Sequence, residues 1–185
     1  QRAPTSAELQ DAMQLVTSTE ETTNERESPT VADWSYGYGE VNESDHQIVD
    51  FKPVPHFTGT AWQGGNKWPD AKLGWVNLTA TGGHPGNTRK HACVRRWTAP
   101  RDMTVRITSR LTHEPAAGDG IRGFVLASEN RGLHSVKAHQ QTVDLNTDAV
   151  SVKTGDAVDF VVDIDKVLNN DQFLWQISIA DINET

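Results

Sequence analysis

Residues 157–180, AVDFVVDIDKVLNNDQFLWQISIA, decide the fold. Val158, Phe160, Val162 and Ile164 alternate with Asp159, Val161 and Asp163. Phe173, Trp175, Ile177 and Ile179 alternate with Leu174, Gln176, Ser178 and Ala180. A period of two is the signature of a strand with one face in a core. The polar run Asn169-Asn170-Asp171 between the two segments reads as a turn. Trp175, in the middle of its run, is expected in the core.

The same pattern recurs at Met103, Val105, Ile107 and Leu111, which alternate with Thr104, Arg106, Thr108 and Arg110. Weaker strand candidates are 34–38, 46–52, 74–80, 90–98, 121–128, 133–143 and 149–152. Gly64-Gly65, Gly82-Gly83, Pro85-Gly86, Gly118-Asp119-Gly120 and Gly155-Asp156 punctuate them. About nine or ten short strands with polar turns and no interleaved helices predict an all-β, antiparallel β-sandwich of jelly-roll type. Ahead of it, Leu9, Met13 and Val16 recur at helical spacing, and Thr5 with Glu8 has capping-box spacing. A short N-terminal helix over 5–17 and a polar linker over 18–32 are therefore expected. The sandwich is expected over 33–185.

The bulk composition excludes several function classes. A chain of 185 residues can bury a full core without disulfides. A net charge of −8 argues against a nucleic-acid partner. No run of 18 apolar residues exists to span a membrane. The chain starts at Gln1 without a charged-then-apolar leader, so no signal peptide is expected within it. Cys93 is the one cysteine, which rules out an internal disulfide and a paired-cysteine zinc site. There is no CxxCH haem-attachment motif.

Six tryptophans stand out against two tyrosines. Trp75 and Trp97 have strand-like neighbours and are expected in the core. Trp62 and Trp68 flank Gly64-Gly65 and precede Pro69, so loops carry them. Tyr36 and Tyr38 share one face of WSYGYG. Indole and phenol faces suit the apolar C–H faces of sugar rings, while amides, carboxylates and guanidinium groups bond the hydroxyls. The expected ligand wall is therefore Tyr36, Tyr38, Trp62 and Trp68, with Gln63, Asn66, Asp70 and Arg95 as polar partners. The structural alternative places Arg95 or Arg96 over Trp97 or Trp75 as a cation–π contact.

The seven histidines show no metal spacing, and His84 in GGHPG reads as a turn residue bonded to the backbone. Asp163 and Asp165, followed by Asn169, Asn170 and Asp171, are oxygen-rich enough for calcium. Their spacing fits no EF-hand loop, and a solvated hairpin is favoured. No catalytic carboxylate pair and no GxSxG or Ser-His-Asp signature is evident, so no enzyme activity is expected.

The segments WSYGYG, FTGTAWQGG with PD, LGW, GGHPG, VRRWTAP, GDGI, GDAVDFVVD and DQFLW follow one another in this order. Together they resemble the β-sandwich module of large secreted planctomycete-type c-type cytochrome proteins, over about residues 34–182. That resemblance implies a non-catalytic module like the carbohydrate-binding modules and an extracytoplasmic address, periplasmic or secreted. It also implies haem elsewhere in the parent chain and neighbouring domains as partners. The expected ligand is a polysaccharide or oligosaccharide. The alternative is a structural or protein-docking sandwich whose tryptophans fill its loops.

Overall fold

A computed structural model describes residues 34–129 and 131–183. The helix expected at 5–17 and the linker expected at 18–32 lie outside the described residues. Fourteen strands run in the order β1 (Trp34–Asn42), β2 (Gln47–Pro53), β3 (His56–Phe57), β4 (Trp62–Gln63), β5 (Asn77–Leu78), β6 (Gly82–His84), β7 (Ala92–Thr98), β8 (Met103–His113), β9 (Ile121–Ala127), β10 (Arg131–Ala138), β11 (Gln141–Asp144), β12 (Thr147–Val152), β13 (Ala157–Ile164) and β14 (Phe173–Asp181). The pairings are antiparallel. One sheet has the order β10-β9-β13-β7-β1-β2, and the other β11-β8-β14-β6-β5-β4-β3, with β12 also on β8. The described residues thus form an all-β, two-sheet sandwich. No helix among the described residues is long and apolar enough to cross a membrane.

The count exceeds the nine or ten strands expected because β3 to β6 are two- or three-residue pieces, too short to show a period. The stretch 133–143 is two strands, β10 and β11, broken where Gln140 takes a positive φ of 49°.

The core lies between the sheets, and alternation explains its membership. Cross-strand partners share a face, so Val158 opposite Trp97, Phe160 opposite Arg95, and Val162 opposite Cys93 form inward rows of the first sheet. Trp175 opposite Leu111 and Ile179 opposite Ile107 do the same in the second. Phe160 and Trp175 meet edge to face at 5.5 Å and 87°, joining the sheets. Trp97 is buried, as expected. Cys93 is buried too, its thiol near the carbonyls of Asn77 and His84, and burial pushes its pKa up to about 12.

The first sheet is also covered on its outer side. Val41, Ala92, Val94, Phe124, Leu126 and Val161 form a second apolar layer, closed by Ile48 and Phe51. A Cβ at Gly37 would overlap the Phe51 ring, so glycine there lets β2 lie close. Two ion pairs sit in this layer. Arg96 holds Asp159 through both oxygens (2.7 and 2.8 Å) and lies over the Phe51 ring at 4.1 Å. Arg122 holds the buried Asp163 (2.8 and 2.5 Å) and reaches Glu43 at 2.6 Å.

Trp175 is fully buried and touches both Phe160 and Arg95. Trp175→Ala is expected to lower stability by about 3–5 kcal/mol, read from denaturant melts. A value under about 1 kcal/mol would contradict this placement.

Candidate functional site

A concave feature is built by the 64–76 loop, β6 and the 165–172 loop at the short-strand end of the second sheet. Asp70 sets the first loop: its backbone pairs with Gly74 in both directions (3.0 and 3.1 Å). Its Oδ1 accepts from the N–H groups of Lys72 (2.5 Å) and Leu73 (2.9 Å). Leu73 and Val76 plug into the core. Gly74, at φ +60°, turns the chain between them. Trp75, next to the inward Val76, is left facing out and is 37% exposed. Trp68 is 41% exposed. Its indole N–H donates to the Trp75 carbonyl at 3.0 Å, and the two rings meet edge to face at 4.9 Å and 86°.

His84, from β6, stands 5.5 Å from Trp75 and 6.1 Å from Trp68. Its Nδ1 bonds the Pro85 carbonyl at 2.8 Å, the backbone role expected of it. That bond assigns the proton to Nδ1 and leaves Nε2 as an acceptor. Burial lowers its pKa, opposed by the bond to Pro85, so the ring is neutral at pH 7. Across from the rings lie Leu168, Asn169, Asn170 and Gln172, and together these residues enclose a cleft of about 420 Å³. The lining is two indoles, an imidazole, an alkyl group and three amides.

The loop bearing the amides is anchored from below. His113 is fully buried, and its Nε2 bonds the Asn170 carbonyl at 2.8 Å. Its Nδ1 accepts the Gln140 N–H at 3.3 Å. These two partners require the neutral tautomer, since Nδ1 has no room for a proton facing a donor. Burial lowers the His113 pKa, the Asn170 carbonyl raises it, and His139 lowers it further.

The expected wall is not assembled. Of its members, Trp68 alone lines the cleft. Trp62 stacks flat on Tyr36 at 3.7 Å and 5°, is touched by Phe57 at 4.4 Å, and packs against the core with Tyr36 and Tyr38. Loop position misled here: β4 directs Trp62 inward, beside the buried Leu78. Gln63 is buried and donates to the Gly65 carbonyl at 2.7 Å. Asp70 is committed to its own loop. Asn66 is exposed but does not line the cleft.

Arg95 is the largest correction: it is 3% exposed and lies inside the sandwich. Its guanidinium donates to the Ala80 carbonyl (2.7 Å) and the Trp175 carbonyl (2.8 Å), with Trp175 under it at 6.0 Å. Burial lowers its pKa to about 10, opposed by Tyr36 and Cys93. The cation–π partners also differ from those expected, being Trp175 for Arg95 and Phe51 for Arg96.

Trp75, expected in the core, is the residue the sequence reading missed. Its signal was the preceding Gly74, which marks a turn rather than a strand. Asn169, Asn170 and Gln172 carried no sequence signal for facing Trp68.

No family model matches the chain, and no curated protein matches it. Among solved structures, the crystal structure of Pika GITRL matches with a TM-score of 0.34 and 13% identity, over 47% of this chain and 73% of that one.

Two outcomes follow from these placements. Trp62→Ala is expected to destabilise by about 2 kcal/mol, because a stacked, half-buried indole is removed; a melt unchanged from wild type would contradict the stack. In an NMR titration, His113 is expected to protonate below its ordinary 6.5. Because the folded pKa is the lower one, its contribution to stability is present above about pH 6.5 and lost as pH falls. A midpoint at or above 6.5 would contradict the bonding to Asn170 and Gln140.

Proposed function

We propose that this domain is a non-catalytic carbohydrate-binding module of jelly-roll type, with its site at the Trp68–Trp75 cleft. The observation that carries the reading is the pairing of two indoles, each more than a third exposed, with the amides of Asn169, Asn170 and Gln172 across about 420 Å³. Sugar rings offer axial C–H faces for an indole and hydroxyls for amides. The residues lining the cleft carry no formal charge while His84 is neutral, which favours neutral glycans over uronate polymers. The right angle between the rings makes a corner in which one sugar stacks on one indole and abuts the other. The resemblance to the planctomycete cytochrome-associated module adds an extracytoplasmic parent protein with neighbouring domains and haem outside this segment.

The second reading is a protein-docking sandwich, favoured by Phe57, which is 52% exposed beside Trp62 and away from the cleft. Tryptophan fluorescence titrated with neutral and uronate polysaccharides separates the two. Binding of a neutral glycan is expected, with Trp68→Ala or Trp75→Ala weakening it by about 1–3 kcal/mol, on the scale of aromatic stacking on a planar ligand. Trp62→Ala, where folded, is expected to retain binding. Absence of binding to any neutral glycan, or binding unaffected by either cleft variant, would overturn the reading.

A further inference from the structure

The loop that supplies the amides to the cleft hides a second feature on its inner side. Gly118 and Gly120 both take positive φ (89° and 86°), bending Asp119 toward residues 166–171. A Cβ at Gly118 would overlap the Asn169 carbonyl, so the two loops touch there. Asp119 Oδ2 accepts the Lys166 N–H at 3.0 Å, and Asp171 Oδ2 accepts the Asn169 N–H at 3.1 Å. Each carboxylate is thereby oriented by one backbone donor.

The other oxygen of each, Asp119 Oδ1 and Asp171 Oδ1, is buried with no hydrogen-bond partner. Asp171 as a residue is fully buried. Two anionic groups that sense each other, each with an orphaned oxygen, would be costly without a positive charge to meet them. Burial first, then the Asp119 charge, pushes the Asp171 pKa up to about 6, against the pull of the Asn169 N–H.

No nearby cationic side chain bonds these two oxygens: Arg89 donates to the Asp165 carbonyl, and Lys166 is exposed. Lys137 pairs with Asp165, and Arg122 with Asp163. Those pairings also remove Asp163 and Asp165 from the oxygen set that the sequence had grouped with Asp171. The adjacent histidines are engaged as well, His113 by Asn170 and Gln140 and His139 Nε2 by the Ala116 carbonyl.

We infer that Asp119 Oδ1 and Asp171 Oδ1 are the two anionic ligands of a calcium site that ties the 118–120 turn to the 166–171 loop. The donors offered are hard carboxylate oxygens. That set suits calcium, which accepts six to eight oxygens in flexible geometry, water among them. Only two carboxylates contribute, so affinity belongs in the range of about 0.1–1 mM seen for extracellular modules. Asp119 is partly exposed and gives the ion its route from solvent. An ion held there would brace the wall that presents Asn169, Asn170 and Gln172, whatever the cleft binds.

The test is a thermal melt of the full chain in EDTA and then in rising calcium, with magnesium as comparison and isothermal titration for stoichiometry. Calcium at about tenfold over its Kd is expected to raise the midpoint by roughly 3–6 °C, with one ion per chain. Asp119→Asn and Asp171→Asn are each expected to abolish the calcium shift. In EDTA their midpoints are expected at or above wild type, because one of two neighbouring like charges is gone. Asp165→Asn, which loses only the Lys137 pair, is expected to keep the shift. A wild type indifferent to calcium and EDTA would overturn the site. So would a shift that survives both Asp119→Asn and Asp171→Asn, which would assign it to other acidic residues.

Discussion

The Trp175 indole is the point on which the two sheets meet, and most of the fold is arranged around it. Phe160 meets it at a right angle from β13, and Arg95 lies over it from β7. Arg95 also donates to the carbonyls of Trp175 and Ala80. A buried guanidinium cannot shed its proton near neutral pH, so its desolvation must be met by acceptors. Here the acceptors are carbonyls of the opposite sheet, fixed in place by the backbone. The contact is therefore directional as well as apolar: it fixes how far β7 stands from β14 and where the 79–82 turn closes. Replacing the guanidinium with a shorter donor would leave two carbonyls and one register unspecified.

The outer layer of the first sheet follows a different rule. Its residues alternate too, with Asp159, Val161 and Asp163 on the side away from Trp175. Alternation alone assigns that side to solvent. The β1–β2 hairpin instead lays Ile48 and Phe51 against it, and Glu43 extends to Arg122. The carboxylates become tolerable because each meets a two-pronged arginine from a neighbouring strand. With this sheet covered on both faces, the open recesses of the second sheet's short-strand end fall to loops. Strands β3 to β6 are too brief to extend a flat face, and the chain between them turns outward at 64–76. The cleft is a consequence of that brevity.

The long strands were legible because period two survives over eight or more residues; β8, β13 and β14 were readable almost to their ends. Arg95 was misread although the same rule locates it: it sits two residues from both Cys93 and Trp97 and so shares their inward face. Residue type overrode pattern in that reading, and pattern was the better guide. Trp62 and Trp75 were exchanged for a related reason. A two-residue strand has no detectable period, so β4 could not announce that it points Trp62 inward, and Gly74 could not announce which way it turns Trp75. The partners across the cleft are some hundred residues away in sequence. No local signal brings Asn169 to Trp68; only the pairing of β6 with β14 does.

The difference between the tryptophans bears on what the cleft is for. Trp175 surrenders its indole N–H without a partner in return for complete burial. Trp68 does the reverse: its N–H is bonded to the Trp75 carbonyl while more than a third of its surface stays in water. A ring recruited only to fill a loop would gain by turning inward, as Trp62 does against Tyr36. Trp68 is instead locked by a hydrogen bond and a perpendicular neighbour in an orientation that keeps it exposed. A ligand docking there meets side chains whose freedom is already spent, which lowers the entropic cost of association. Rigidity of this kind also narrows what fits, since a fixed right-angled corner accepts a flat apolar face only in one pose. That arrangement suits the recognition proposed for the corner, in which selectivity would rest on the Asn169, Asn170 and Gln172 wall, held in place by His113.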